Sequence, residues 1–240
     1  MKITISGYGK MGREIEKAAI INNHSIVAIV DNTDDWNGQL PAIKTSDVII
    51  DFSEPGSVVE ILLKSFAIHI PIITGTTGWY DRLDEVKKKC KEQNATLFYA
   101  PNFSIGVNIF FKMNLEMARI MNQVDGYTVK VKETHHIQKL DAPSGTAIKA
   151  GEDIIQEIDH LKAWVNNPPK DIQELPIISK RIGSVTGTHK VAYTSQMDKI
   201  ELIHKAKNRS AFANGAILAA ALIKDKQGIF TMEDLLKFKT

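Results

Sequence analysis

The sequence predicts an α/β protein, with a doubly wound parallel sheet in its first hundred residues and a second α+β domain built on a mixed sheet. Three observations carry this expectation. Short β-branched apolar runs alternate with segments of helical period as far as Asn102, a glycine-rich turn follows the first run, and beyond Asn102 the strands change to period two.

The apolar runs are KITIS (2–6), SIVAIVD (25–31), DVIIDF (47–52), IPIITG (70–75) and ATLFYA (95–100). Each is apolar on both faces, as a strand of a covered parallel sheet must be. KMGREIEKAAII, GSVVEILLKSF and YDRLDEVKKKCKEQ read as the crossover helices. Ile105 to Met121 is a long apolar helix candidate, and YTVKVKETHH (127–136) alternates as a strand with one covered face. Ser144 to Ile158 reads as a helix capped by Ser144 or Thr146. PIISKRIG, THKVAYTS and DKIELIHKA then suggest an antiparallel or mixed sheet, and WVNNPPKD (164–171) reads as an exposed loop because paired prolines exclude regular helix. SAFANGAILAAALIKD is apolar enough to require burial against the first domain, and TMEDLLKF closes the chain as a capped segment.

Composition narrows the function classes. Lys plus Arg number 30 against 28 Asp plus Glu, with no dense basic run, so nucleic acid is not the expected partner. One cysteine, Cys90, excludes an intramolecular disulfide and a Cys-based zinc site. The N-terminal residues lack a signal-peptide core and no window is long and apolar enough for a membrane, so a cytoplasmic location is expected.

GYGKMG, from Gly7 to Gly12, is a G-x-G-x-x-G between an expected strand and an expected helix, and Asp31 follows Gly9 by 22 residues at the end of the second strand. Gly7 and Gly9 allow a tight turn and close approach of a pyrophosphate, and Gly12 allows close helix–strand packing. The helix N-terminus offers N–H groups to the anion, and the acid binds ribose hydroxyls. This is the pattern of a Rossmann-type dinucleotide site. Asp31 repels a 2′-phosphate and Asn32 adds no cation, which favours NADH at least as much as NADPH; Lys10 is the alternative cation for a phosphate. GTTGW (75–79) and APNFSIGVN (100–108) start at carboxyl ends of strands, where ligands sit in open α/β sheets. There Gly75 lets a nicotinamide ribose approach, Thr76 and Thr77 offer hydroxyls, and Asn102 or nearby backbone can bind the carboxamide.

In ETHHIQKLDAPSGTA (133–147), two histidines and Lys139 precede a helix start at Ser144, Gly145 and Thr146. Cations beside free helix N–H groups make an anion site suited to a small dianion, and histidine and lysine can deliver a proton. Adjacent strand residues face opposite ways, so either the strand ends at the histidines or one of them turns aside. A metal reading would enlist Glu133 with both histidines, but the spacing lacks a helical ligand pair and no metal site is expected.

The stretch Glu133–Ala147 resembles the signature of the dihydrodipicolinate reductase family, the 4-hydroxy-tetrahydrodipicolinate reductases of lysine and diaminopimelate biosynthesis. GYGKMG, DFS (51–53), GTTG (75–78), PNFSIGVN (101–108), RIGSVTGTH (181–189) and FANGA (212–216) occur in the family's order. The resemblance implies a Rossmann domain (1–103 plus 210–240), a substrate-binding and oligomerisation domain (104–209), a homotetramer and an NADH- or NADPH-dependent oxidoreductase. The implied substrate is a small cyclic dicarboxylate, reduced at C4 with loss of water. By position, His135 is the proton donor or acceptor and Lys139 the proton donor, while His136, Lys139, Gly145 and Thr146 hold carboxylates. Gly7, Tyr8, Gly9, Lys10, Met11, Gly12, Asp31, Gly75, Thr76, Thr77, Ala100, Pro101, Asn102 and Phe103 correspond to cofactor-binding positions. Asn32 stands where many members carry arginine, and the glycine loop is one residue shorter than in many.

Overall fold

The computed structural model describes residues 1–166 and 168–237, so Asn167 of the expected WVNNPPKD loop and Phe238 of the last segment lie outside the described residues. The first elements in chain order are β1 (Lys2–Ser6), α1 (Lys10–Ile21), β2 (Ser25–Val30), α2 (Thr33–Ile43), β3 (Val48–Asp51), α3 (Val58–Ala67), β4 (Ile72–Thr74), α4 (Leu83–Glu92) and β5 (Thr96–Tyr99). A long helix α5 (Ile105–Met121) is followed by β6 (Thr128–His135), α6 (Gly145–Glu157), β7 (Ala163–Val165), β8 (Glu174–Arg181), β9 (Gly187–Thr194) and β10 (Lys199–Ala206). The chain closes with α7 (Ser210–Ile223), β11 (Gly228–Phe230) and α8 (Met232–Leu236). Two compact units result, residues 1–105 with 209–240 and residues 106–208.

The first unit holds a six-stranded sheet in the order β11-β5-β4-β3-β1-β2, parallel at every pairing. Alternation divides its apolar side chains between two cores. Ile3, Ile5, Val48, Ile50, Ile73 and Phe98 pack with Ile15 and Ala19 of α1 and with Ala216 and Ala220 of α7. Ala28, Val30, Ile49, Ile72 and Leu97 pack on the other face with Trp36, Leu62, Phe66 and Val86. Each fully buried Ile, Leu or Val contributes about 1.5–3 kcal/mol relative to exposure, so both faces are firmly held. The sheet is therefore doubly wound, and α7 is buried in this unit because its alanines leave room for close helix packing. Strand order reverses between β1 and β3, which puts a crevice beyond the carboxyl ends of those strands.

Three elements depart from the sequence expectation. The residues after Asp31 form α2 despite Gly38 and Pro41, because the Asn32 side chain caps it by accepting from the Asp35 N–H at 2.9 Å and Trp36 is buried beneath it. Gly228–Phe230 is a strand beside β5. Trp164 and Val165, expected in a loop, pair with Leu175 and Pro176 as edge strand β7; prolines at 168 and 169 end it there.

The second unit carries a five-stranded mixed sheet in the order β10-β9-β6-β8-β7. β6 runs antiparallel to β9 and parallel to β8. Val131, Ile177, Val191 and Tyr193 point to the face covered by Phe110, Ala118, Ala150 and Ile154 of α5 and α6. Lys132, pairing with Lys190 and Ile178, belongs to the opposite face.

Candidate active site

The glycine loop of the first unit lies at the switch point. Gly7 has a φ of +81°, and a Cβ built on it would stand 2.5 Å from the Phe52 carbonyl oxygen, so β1 can turn there only as glycine. A Cβ on Gly12 would stand 2.3 Å from the Gly7 carbonyl oxygen, whereas one on Gly9 would meet nothing within 4 Å. Gly9 is the N-cap of α1, so no side chain caps the first turn of that helix. Tyr8 is half-buried, Lys10 is exposed and Met11 is half-buried along this turn. The Tyr8 N–H donates to Asp31 Oδ1 at 2.8 Å and the Asp31 N–H donates to Asp35 Oδ2 at 3.0 Å, so the loop and the acid form one unit. Asp31, Asn32 and Trp36 border a cavity with Ser6, Gly7, Ser53, Ser57 and Lys64. These residues fit a dinucleotide: an open backbone cradle, a free helix N-terminus and an acid at its flank.

At the neighbouring strand ends the fold assigns different work to residues expected to touch the cofactor. The Phe52 ring fills the space at Gly75, where a Cβ would come within 2.2 Å of it, so this glycine is required by the protein's own packing. The Thr76 hydroxyl donates to Asp51 Oδ2 at 3.0 Å and to the Ser53 carbonyl at 3.1 Å. Thr77 is exposed. Asp51 is fully buried and also accepts from Thr74 Oγ1 at 2.7 Å; burial raises its pKa against the pull of these hydroxyl bonds. Ala100 and Phe103 are buried, Pro101 is exposed, and the Asn102 side chain accepts from the Ser104 N–H at 2.9 Å.

In the second unit the adjacent histidines separate. β6 ends at His135, which points with Glu133 and Val131 to the helix-covered face and is 6% exposed. His136 lies beyond the strand and is half-buried. Lys139 follows a turn closed by its N–H donating to the His136 carbonyl at 3.2 Å, and its Nζ lies 2.8 Å from Asp141 Oδ1. Ser144 caps α6, accepting from the Ala147 N–H at 3.3 Å, which leaves Gly145 exposed and Thr146 half-buried at the helix start. No atom lies within 4 Å of a Cβ built on Gly145.

Glu133 is the centre of this cluster, although the sequence offered it only as part of a metal reading. Its Oε1 accepts from the Ser144 N–H and from Arg181 Nη2, both at 3.1 Å. Its Oε2 lies 3.1 Å from His135 Nδ1 and 3.9 Å from His189 Nε2. Burial alone would raise the Glu133 pKa, but His135, Ser144, Ser179 and Arg181 more than reverse this and hold the carboxyl well below its usual range. His189 is lowered to about 3 by burial, then by the neighbouring His135, and its Nε2 hydrogen-bonds Ser144 Oγ at 3.2 Å. Glu133, His135 and His189 are ligand types with donor atoms within 4.8 Å of one another. His189 thus takes the place the metal reading gave to His136, yet the Arg181 guanidinium on the same carboxylate opposes a further cation. Arg181 and His189 sit in RIGSVTGTH, but only β-sheet register brings them to His135, so local spacing gave no signal for them.

Comparison with known proteins identifies the family. Residues 1–103 match the family described as "Dihydrodipicolinate reductase, N-terminus" and residues 106–236 the one described as "Dihydrodipicolinate reductase, C-terminus". A 4-hydroxy-tetrahydrodipicolinate reductase of Christiangramia forsetii is 44% identical over 236 residues, covering 98% of each chain. The enzyme of that name from Staphylococcus aureus is 31% identical over 98% of this chain and 100% of its own. In fold, the chain is similar to a dipicolinate-bound dihydrodipicolinate reductase from Paenisporosarcina sp. TG-14, with a TM-score of 0.80 at 23% identity over 96% of this chain and 97% of that one. The chain belongs to the dihydrodipicolinate reductase family.

Proposed function

We propose that the chain reduces (2S,4S)-4-hydroxy-2,3,4,5-tetrahydrodipicolinate at C4, with loss of water, to (S)-2,3,4,5-tetrahydrodipicolinate, using NADH or NADPH. Family membership supports the reaction, and one observation supports the placement of substrate. β6 ends at His135 and the chain returns at the start of α6, which gathers His135, His136, Lys139 and two helix N–H groups in one stretch of the second unit.

Gly7–Gly12 would hold the pyrophosphate of the dinucleotide and Asp31 its adenosine ribose, with Gly75–Thr77 and Ala100–Phe103 toward the nicotinamide, which would supply the hydride when bound. The residues of the second unit hold the substrate and move its proton. Gly145 and Thr146 N–H groups grip one carboxylate at the positive end of α6, and His136 and the Lys139 ammonium neutralise the dianion. Loss of the C4 hydroxyl with a C3 proton as water gives an unsaturated imine; hydride addition at its C4 leaves electron density at C3, and His135 or Lys139 protonates that carbon. Lys139 leaves Asp141 for the substrate, exchanging one carboxylate partner for another.

The exposed face of the mixed sheet carries Ile178 and Ile203 among lysines, and covering it with other copies supports a homotetramer. Among the described residues no helix is long and apolar enough to cross a membrane. The test is turnover of the product of the upstream synthase, monitored by NADH and NADPH oxidation in parallel. Substrate-dependent oxidation is expected; its absence with both cofactors overturns the reading.

A further inference from the structure

We propose that Glu133 is the positioning residue of this site: its buried carboxylate sets the ring orientation and tautomer of His135 and ties that ring to the Lys139 loop and the start of α6. The proposal rests on the proton role of His135 given above. It is carried by geometry that a merely structural ion pair would not need.

Glu133 and His135 are two residues apart on one strand, so both side chains enter the same buried layer. Arg181 lies opposite His135 in the register of β6 with β8. Its guanidinium donates to Glu133 Oε1, to the Lys139 carbonyl at 3.1 Å and to the Asp141 carbonyl. The Ser144 N–H binds the same Oε1. One glutamate–arginine pair therefore holds the histidine strand, the lysine loop and the carboxylate-binding helix start together.

The second carboxylate oxygen is left for His135. Glu133 Oε2 and His135 Nδ1 lie 3.1 Å apart, both buried, and among the described residues neither atom has a hydrogen-bond partner, so each is the nearest group able to satisfy the other. On the far side of the ring a Cβ built on Gly187 would stand 3.1 Å from His135 Nε2, so the glycine keeps that edge clear. A proton on Nδ1 facing the carboxylate leaves Nε2 as the nitrogen that exchanges protons with substrate.

The surrounding charges do not compete for this pairing. From β9, His189 is neutral at working pH, and from β10, His204 is shifted the same way by burial. Lys139 is paired with Asp141, Arg181 is taken by Oε1, and Ser144 from α6 is uncharged.

The experiment compares wild type, Glu133→Gln and Glu133→Asp by kcat/KM against pH, thermal melting and NADH affinity. Glu133→Gln keeps shape and removes charge. It is expected to bind NADH within about twofold of wild type and to lose about 10²-fold in kcat. Its profile of kcat/KM against pH should differ from that of wild type, since the charge facing Nδ1 is gone. Glu133→Asp should restore part of both. A folded Glu133→Gln with an unchanged profile and kcat within about threefold of wild type overturns the proposal. Nitrogen NMR of the wild-type histidine rings gives a reading that needs no variant: neutral His135 should be protonated at Nδ1, and a proton on Nε2 also overturns it. If wild type fails to turn over the substrate, the reductase reading fails instead, and the NMR result still decides the tautomer.

Discussion

A Cβ on Gly12 would stand 2.3 Å from the Gly7 carbonyl oxygen, while the same atom on Gly9 would meet open space. Gly12 is thus required by the protein's own packing, whereas nothing in the protein's packing requires Gly9. Gly12→Ala is expected to lower stability by about 1–3 kcal/mol through overpacking, despite the better helix propensity of alanine. Gly9→Ala is expected to melt close to wild type and to weaken NADH binding about tenfold by filling the cradle. Thermal melts and NADH fluorescence titration of both variants check the contrast; equal melting losses for the two would contradict it.

Lys139→Ala is expected to lower kcat at least about 10²-fold and to leave NADH binding intact. His136→Ala should mainly raise KM, because the task proposed for it is to hold a carboxylate. Steady-state kinetics of the purified variants separate these outcomes, and near-wild-type turnover of Lys139→Ala would remove the lysine from the mechanism.

Cofactor choice follows from the acidic start of α2. Asp31, Asp34 and Asp35 gather at the start of α2, the proposed adenosine side, and the side chain of Asn32 is already used as the helix cap. kcat/KM with NADH is expected to equal or exceed that with NADPH. Parallel assays decide it, and a strong NADPH preference would point to Lys10 as the phosphate partner.

Two buried groups give opposite pH signatures. Asp51 has a raised folded pKa, so its contribution to stability is full below about 3.8 and is lost as pH rises through the folded value. Asp51→Asn keeps an oxygen for Thr74 and Thr76, removes the charge, and is expected to raise Tm at pH 8 by about 2–4 °C, equivalent to roughly 1 kcal/mol. His189 has a folded pKa lowered to about 3, so its contribution is present above 6.5 and is lost as pH falls toward 3. His189→Gln should flatten that acid limb in urea unfolding midpoints measured across the interval.

The fold was legible in the sequence wherever burial is periodic. The five parallel strands, the long helix and the alternating strand at 128–135 all announce themselves by which side chains are apolar. What was hidden depends on tertiary context: α2 is stabilised by burial of Trp36 beneath it, and β11 is three residues of a strand that only its neighbour β5 defines. The site divides in the same way. His135, Lys139 and the helix start are contiguous and readable, whereas Arg181 and His189 reach Glu133 through strand pairing across more than forty residues of chain. Thr76 shows the converse, a hydroxyl suited to a ligand by position but engaged by a buried carboxylate.

β6 is hydrogen-bonded on both sides, to β9 over Thr128–Thr134 and to β8 over Val131–His135. Its amides are therefore among the last in the second unit to exchange with solvent, since freeing them requires the centre of the sheet to open. His135 is carried on that strand, while Lys139 stands on the turn beyond it. The two residues proposed to handle protons thus sit on backbone of different stability, one at the end of a central strand and the other on a turn that Arg181 ties to Glu133.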